Sequence, residues 1–216
     1  MRSPQWQVER RNLASGLLKE AQAWSAALQT LGAEVLASEE WLQGTWSDIA
    51  IHGQADLILG LPGDRLLVVD YKRARSSGRR PRMEEGFDSQ ASLYRAMLQS
   101  GGPKDDGDGH LLKRIRAARS TGIVYYMLID QIALADSLLP QSDSIPGWQT
   151  LDDDVAGNAM ALIQRRLGEV REGHVLLNRD GDGAFFEKQA GLKPYALENS
   201  PLIPLFTVPG PAQEEE

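Results

Sequence analysis

Two aspartates and one lysine set the chemistry this chain is equipped for. Leu66-Leu67-Val68-Val69-Asp70-Tyr71-Lys72 is an apolar run that ends in opposite charges. Side chains alternate along a strand, so Leu66, Val68, Asp70 and Lys72 share one face and the charges stand side by side at its end. Burying an unpaired charge is costly, and a buried strand finishing in Asp-x-Lys marks a place where function overrides packing. Taken alone, a salt-bridged strand end at the surface is the better explanation of such a motif. A second acid, Asp56, interrupts the apolar set Ile51, Ala55, Leu57, Ile58 and Leu59 of the preceding run. The turn Leu61-Pro62-Gly63-Asp64 folds that run back beside 65–72, so the two acids converge. Carboxylates that close repel unless a cation lies between them, and oxygen ligands with open positions suit Mg²⁺ or Mn²⁺. Downstream, Gln90 and Tyr94 are four residues apart and share one helix face.

The elements that must carry these residues follow from periodicity. Leu13, Leu17, Leu18, Ala21, Trp24, Leu28 and Leu31 recur at helical spacing over 7–31, with Gly32 as a stop. The period shortens over 33–59, which predicts two strands ahead of the third at 65–72. The arginine-rich stretch 73–86 has no periodicity and is expected to be a loop. A helix is predicted over about 88–99, with Asp88 or Ser89 to cap it. An exposed loop is expected over 101–110, a buried strand over 121–130 and a helix over 150–173, whose Asp152, Asp153 and Asp154 cap it. The strand at 121–130 is reached through a helix and so can run parallel to an earlier one. This order predicts an α/β domain, a mixed β-sheet flanked by helices, over residues 1–208, followed by a flexible acidic tail at 209–216.

Composition narrows the chemistry. With 216 residues, 42% of them hydrophobic, the chain can bury one full core. The net charge of -7 disfavours nucleic acid only if basic residues are evenly spread. They are not: Lys72, Arg73, Arg75, Arg79, Arg80 and Arg82 fall together with no acid between them. The absence of cysteine excludes disulfides, Cys-based zinc sites and Cys-ligated iron–sulfur clusters. With no apolar leader and no membrane-length apolar run, a cytoplasmic protein is expected. Residues 178–189 open like a calcium loop but place Gln189 where a bidentate glutamate is needed, so a tight turn is expected there.

The ordered set Gly53-Gln54-Ala55-Asp56, Asp70-Tyr71-Lys72, and Gln90 with Tyr94 resembles the PD-(D/E)XK nuclease superfamily, in its RecB-like branch. The resemblance is sharp over 53–94 and looser over the leading helix and the later strand and helix. It implies a restriction-endonuclease-like core. It implies that Asp56, Asp70 and the backbone carbonyl of Tyr71 hold Mg²⁺ or Mn²⁺, that Lys72 orients or helps deprotonate the attacking water, and that Gln90 and Tyr94 position the lysine, the strand end or the substrate backbone. RecB-like relatives often add a histidine from the leading helix. Here that helix has only Glu9 and Glu20 as acids, and Glu20 is the candidate ligand, ahead of Glu34, Glu39 and Glu40. His52 is expected to be peripheral. Beside such a site, Arg73, Arg75, Arg79, Arg80 and Arg82 would contact the phosphates of DNA. The implied activity is metal-dependent DNA cleavage in repair, recombination or phage defence, with any helicase motor on another chain or in a part of this protein outside the given sequence. The rival reading is a silent nuclease fold that binds DNA or a partner protein. A small-molecule binding domain would instead require Asp56 and Asp70 to lie far apart.

Overall fold

The computed structural model describes residues 4–105, 109–136, 145–151 and 154–174, with short pieces at 178–179, 183–184, 187–188 and 207–208. Two long strands, β1 (Glu34–Trp46) and β2 (Ile49–Leu61), form an antiparallel hairpin. Its two-residue turn is Ser47 and Asp48, both with positive φ, the conformation that matches the twist of paired strands. A second turn returns the chain as β3 (Arg65–Lys72), antiparallel to β2. β5 (Ser120–Met127) then lies parallel to β3, as expected for a strand reached through helices. The short strands β4 (Gly102–Pro103), β6 (Ile132–Ala135) and β7 (Trp148–Thr150) complete a seven-stranded mixed sheet in the order β4-β1-β2-β3-β5-β6-β7. β3 is therefore the central strand.

Helices cover both faces. On one side α1 (Pro4–Leu31) packs Trp24 and Ala27 on Leu57, Leu59, Leu67 and Val69. On the other, α3 (Gln90–Ser100) and α4 (His110–Ala117) lay Tyr94, Met97 and Ile115 against Ile58, Leu66 and Val68. α2 (Ser76–Glu84) and α5 (Val155–Arg171) lay Met83 and Val155 against Ile123, Tyr125 and Leu134. Leu66 to Asp70 are all buried, because β3 has a helical layer on each side. Each aliphatic side chain so buried contributes about 1.5–3 kcal/mol. The alternation read from the sequence holds: Leu66 and Val68 face α3, whereas Leu67 and Val69 face α1.

Several local expectations change. The basic stretch 73–86 is not a loop: Ser76–Glu84 forms α2, even with Pro81 inside it. Its stability comes from outside the segment. Asp130 accepts from both the backbone N–H and the hydroxyl of Ser76, at 2.9 and 2.8 Å, and so closes the helix N-terminus. Only Ser76 and Met83 of α2 are buried, too few to leave a periodic signal. No side chain caps α3; Ser89 precedes it, and Asp88 is turned to other partners. Within 101–110, Gly102 and Pro103 pair with β1 instead of looping free. The strand expected over 121–130 ends at Met127. Asp154 does cap α5, accepting from Gly157 N at 2.9 Å. Asp152, Asp153, most of the calcium-like stretch and the acidic tail lie outside the described residues. Among the described residues no helix is long and apolar enough to cross a membrane.

Candidate active site

The end of β3 gathers the polar residues picked out from the sequence. Leu57 pairs with Val69, so the next positions along the two strands are Asp56 and Asp70. Beyond that pair the backbone ladder stops, and Asp56 Oδ2 accepts from the Tyr71 N–H at 2.8 Å. A side chain thus replaces a backbone carbonyl at the point where the strands part. Gly53, three residues before Asp56, lies under the Tyr94 ring: a Cβ there would sit 3.0 Å from Tyr94 Cε1. The glycine lets the α3 ring come down onto the hairpin.

Asp70 is fully buried, and its Oδ2 forms an ion pair with Lys72 Nζ at 2.6 Å. Lys72 Nζ also donates to Gln90 Oε1 at 2.7 Å, and Gln90 Nε2 donates to the Tyr94 hydroxyl oxygen at 2.9 Å. The amide is thereby oriented from both ends. The lysine is fixed between a β3 carboxylate and an α3 amide, with its side chain still 23% exposed. Asp70, Lys72, Gln90 and Tyr94 therefore form one connected group, and Asp56 joins the same strand end through the Tyr71 N–H. Burial raises the Asp70 pKa; the Lys72 ammonium pulls it back and the Asp56 charge adds to the rise. Burial likewise raises Tyr94, and it pushes Tyr71 up to about 12. Both phenols stay neutral at ordinary pH.

The donor set suits a hard divalent cation. Asp70 Oδ1 is buried with no hydrogen-bond partner among the described residues, and Oδ2 has only the ion pair with Lys72. A buried carboxylate with an unspent oxygen is costly unless a cation meets it. Asp56 Oδ2 is occupied by the Tyr71 N–H. Among the described residues no three His, Cys, Asp or Glu side chains lie close enough to share an ion. Glu20 is not brought to them. It lies on α1, across the sheet, where its carbonyl oxygen is 3.5 Å from the Tyr126 hydroxyl. Glu34 pairs with Arg114 at 2.6 Å. Glu39 has a φ of 52°, its carbonyl accepts from Gln54 Nε2, and its charge helps raise Tyr94. His52 is exposed.

Of the five arginines expected to meet DNA, four line one cleft of about 420 Å³ together with Lys72: Arg73, Arg75, Arg79 and Arg82. Arg80 is held elsewhere, by Gln149 and Glu84. A second polar cluster underlies the group. Tyr125 is level with Asp70 in the parallel ladder; its hydroxyl donates to Asp88 and accepts from the Ala91 N–H at 2.9 Å. Arg79 pairs with Asp88 at 2.7 Å and stacks 4.7 Å above the Tyr125 ring, with Lys72 Nζ 5.9 Å from that ring. Burial, and then the Asp88 charge, keep the Tyr125 hydroxyl protonated well above its usual range. The only signal for this cluster in the sequence is a tyrosine in a buried strand, which must find a partner for its hydroxyl.

A family model of the PD-(D/E)XK nuclease superfamily matches residues 1–174. The chain belongs to that superfamily. The mixed sheet with helices on both faces is consistent with its restriction-endonuclease-like fold, and the RecB-like branch is compatible with the match. No individual curated protein matches the chain.

Proposed function

We propose that this superfamily member is a Mg²⁺- or Mn²⁺-dependent deoxyribonuclease of the RecB-like branch. The observation that carries the reading is the joining of Asp56, Asp70 and Lys72 at one strand end, with the lysine fixed by Gln90. Asp56, Asp70 and the Tyr71 carbonyl would hold the cation, which supplies a more acidic water and a polarised phosphoryl oxygen. Lys72 Nζ carries a proton and a positive charge at a fixed point, available to the phosphate oxygens as charge builds on them. Gln90 and Tyr94 hold Nζ there, so little reorganisation is needed. The basic cleft offers its charge to phosphates of the strand, which gives affinity without base preference. Such an activity fits DNA repair, recombination or phage defence, beside a motor such as a helicase on a separate chain.

The test uses labelled single- and double-stranded DNA and RNA, with Mg²⁺, Mn²⁺ or EDTA. Wild type is expected to cut DNA only with metal, and Asp70→Ala and Lys72→Ala to lose at least about 10³-fold. Wild type as inert as both variants on every substrate would leave a silent nuclease fold that binds nucleic acid or protein. Glu20→Ala in the same assay decides whether α1 supplies a ligand. Retained cutting leaves the two aspartates and the Tyr71 carbonyl as the protein's share.

A further inference from the structure

The basic cleft beside Lys72 holds two exposed arginines, Arg73 and Arg75, beyond the cations already paired in its wall. Lys72, Arg73, Arg75, Arg79 and Arg82 line it, and no carboxylate does. Two of these cations are already matched, Lys72 by Asp70 and Arg79 by Asp88. Arg73 and Arg75 are exposed and pair with no carboxylate among the described residues. An internal phosphodiester brings one negative charge, whereas a terminal phosphate monoester brings about −1.5 to −2 at neutral pH and three strong acceptor oxygens. The cleft is also built in advance. Asp130 pins the start of α2, and Arg79 is fixed by Asp88 and the Tyr125 ring, so a bound anion need not order the wall.

From this geometry we infer that the cleft is a subsite for the terminal phosphate monoester of a nucleic-acid strand, which makes the enzyme end-directed. Lys72 belongs both to the cleft wall and to the Asp56–Asp70 group, so a phosphate seated there places the first linkages of that strand at the cutting site. The inference rests on the nuclease reading for its cleavage consequence, not for binding.

Gly78 gives a clean probe. It lines the cleft within α2, and a Cβ there meets nothing within 4 Å, so a side chain enters open space. Replacing a helical glycine does not weaken the helix. Gly78→Glu adds a carboxylate to the cleft, and Gly78→Gln adds the same bulk without charge. Oligonucleotides carrying 5′-phosphate, 5′-hydroxyl, 3′-phosphate or 3′-hydroxyl ends separate the two possible sources of the monoester. Without metal, fluorescence anisotropy should show about tenfold tighter binding of one phosphorylated end, the gain of an added charge-assisted contact. That preference should vanish in Gly78→Glu and persist in Gly78→Gln. With metal, the preferred end should be cut first, releasing short products. Equal binding of phosphate and hydroxyl ends of both polarities overturns the proposal, as does a preference that survives Gly78→Glu. Failure of the nuclease reading would show differently, as absent cleavage with the end preference in binding intact.

Discussion

Asp70 has its charge buried, and that has a measurable cost. A carboxyl whose folded pKa lies above its unfolded value binds more protons in the native state across the interval between them. Stability therefore falls as pH rises from the ordinary carboxylate range through the raised Asp70 value, and is not regained above it. Asp70→Asn removes that charge at nearly constant shape. In metal-free buffer at neutral pH it should raise the thermal midpoint by about 2–4 °C for each kcal/mol relieved, while nuclease activity is lost. Added Mg²⁺ should raise the midpoint of wild type but not of the variant. Gln90→Ala leaves Lys72 with Asp70 alone and removes the orienting amide. It should lower kcat by roughly 10- to 100-fold with KM little changed, the pattern of a misplaced charge and not of lost substrate binding. Both aspartates and the lysine were legible because charges at the end of an apolar run break a local rule. The Asp88–Tyr125–Arg79 cluster was not, since its members lie in α2, in β5 and in the connection before α3, and only the fold brings them together.

At the scale of elements, α2 shows where sequence reading stops. Its composition, with Gly78 and Pro81 among arginines, argues against a helix, and its partner Asp130 lies 54 residues further along the chain. Long β1 and β2 and the leading helix declare themselves through sustained periodicity; α2, β4, β6 and β7 are too short to do so and exist because neighbours complete them. Asp130→Ala should therefore act at a distance. Loss of the cap costs about 0.5–2 kcal/mol, the usual range for a capping residue, and loosens the wall that carries Arg75 and Arg79. A lowered thermal midpoint together with weaker DNA binding is expected from calorimetry and anisotropy. Unchanged binding would show that α2 holds its shape without Asp130.

At the scale of the whole molecule, a negative total charge coexists with a basic cleft. Four arginines and Lys72 in one hollow give a polyanion a local point of attraction despite the overall charge of -7. Binding of single-stranded DNA should weaken steeply with salt, and Arg73→Ala or Arg75→Ala should each reduce the slope of log K against log salt by about 1. Arg80→Ala, whose side chain is engaged by Gln149 and Glu84, should leave that slope unchanged. The class of architecture was readable from the order of elements, because a helix between β3 and β5 makes a parallel pair the natural solution. The order of strands across the sheet was not, since β4, β6 and β7 leave so little pattern.

Asp56 is both a candidate metal ligand and the tie that holds the Tyr71 N–H where the β2–β3 ladder ends. Its two duties constrain inheritance unequally with its neighbours. A descendant that abandons cleavage is free to lose Asp70, whose burial as a charge is costly, and Lys72 can follow once that buried carboxylate is gone. It is not free to change Asp56 without leaving a backbone donor unpaired. Retired copies of this domain should therefore still carry an acceptor at position 56 long after the rest of the motif has drifted, so the surviving aspartate by itself records ancestry and not activity.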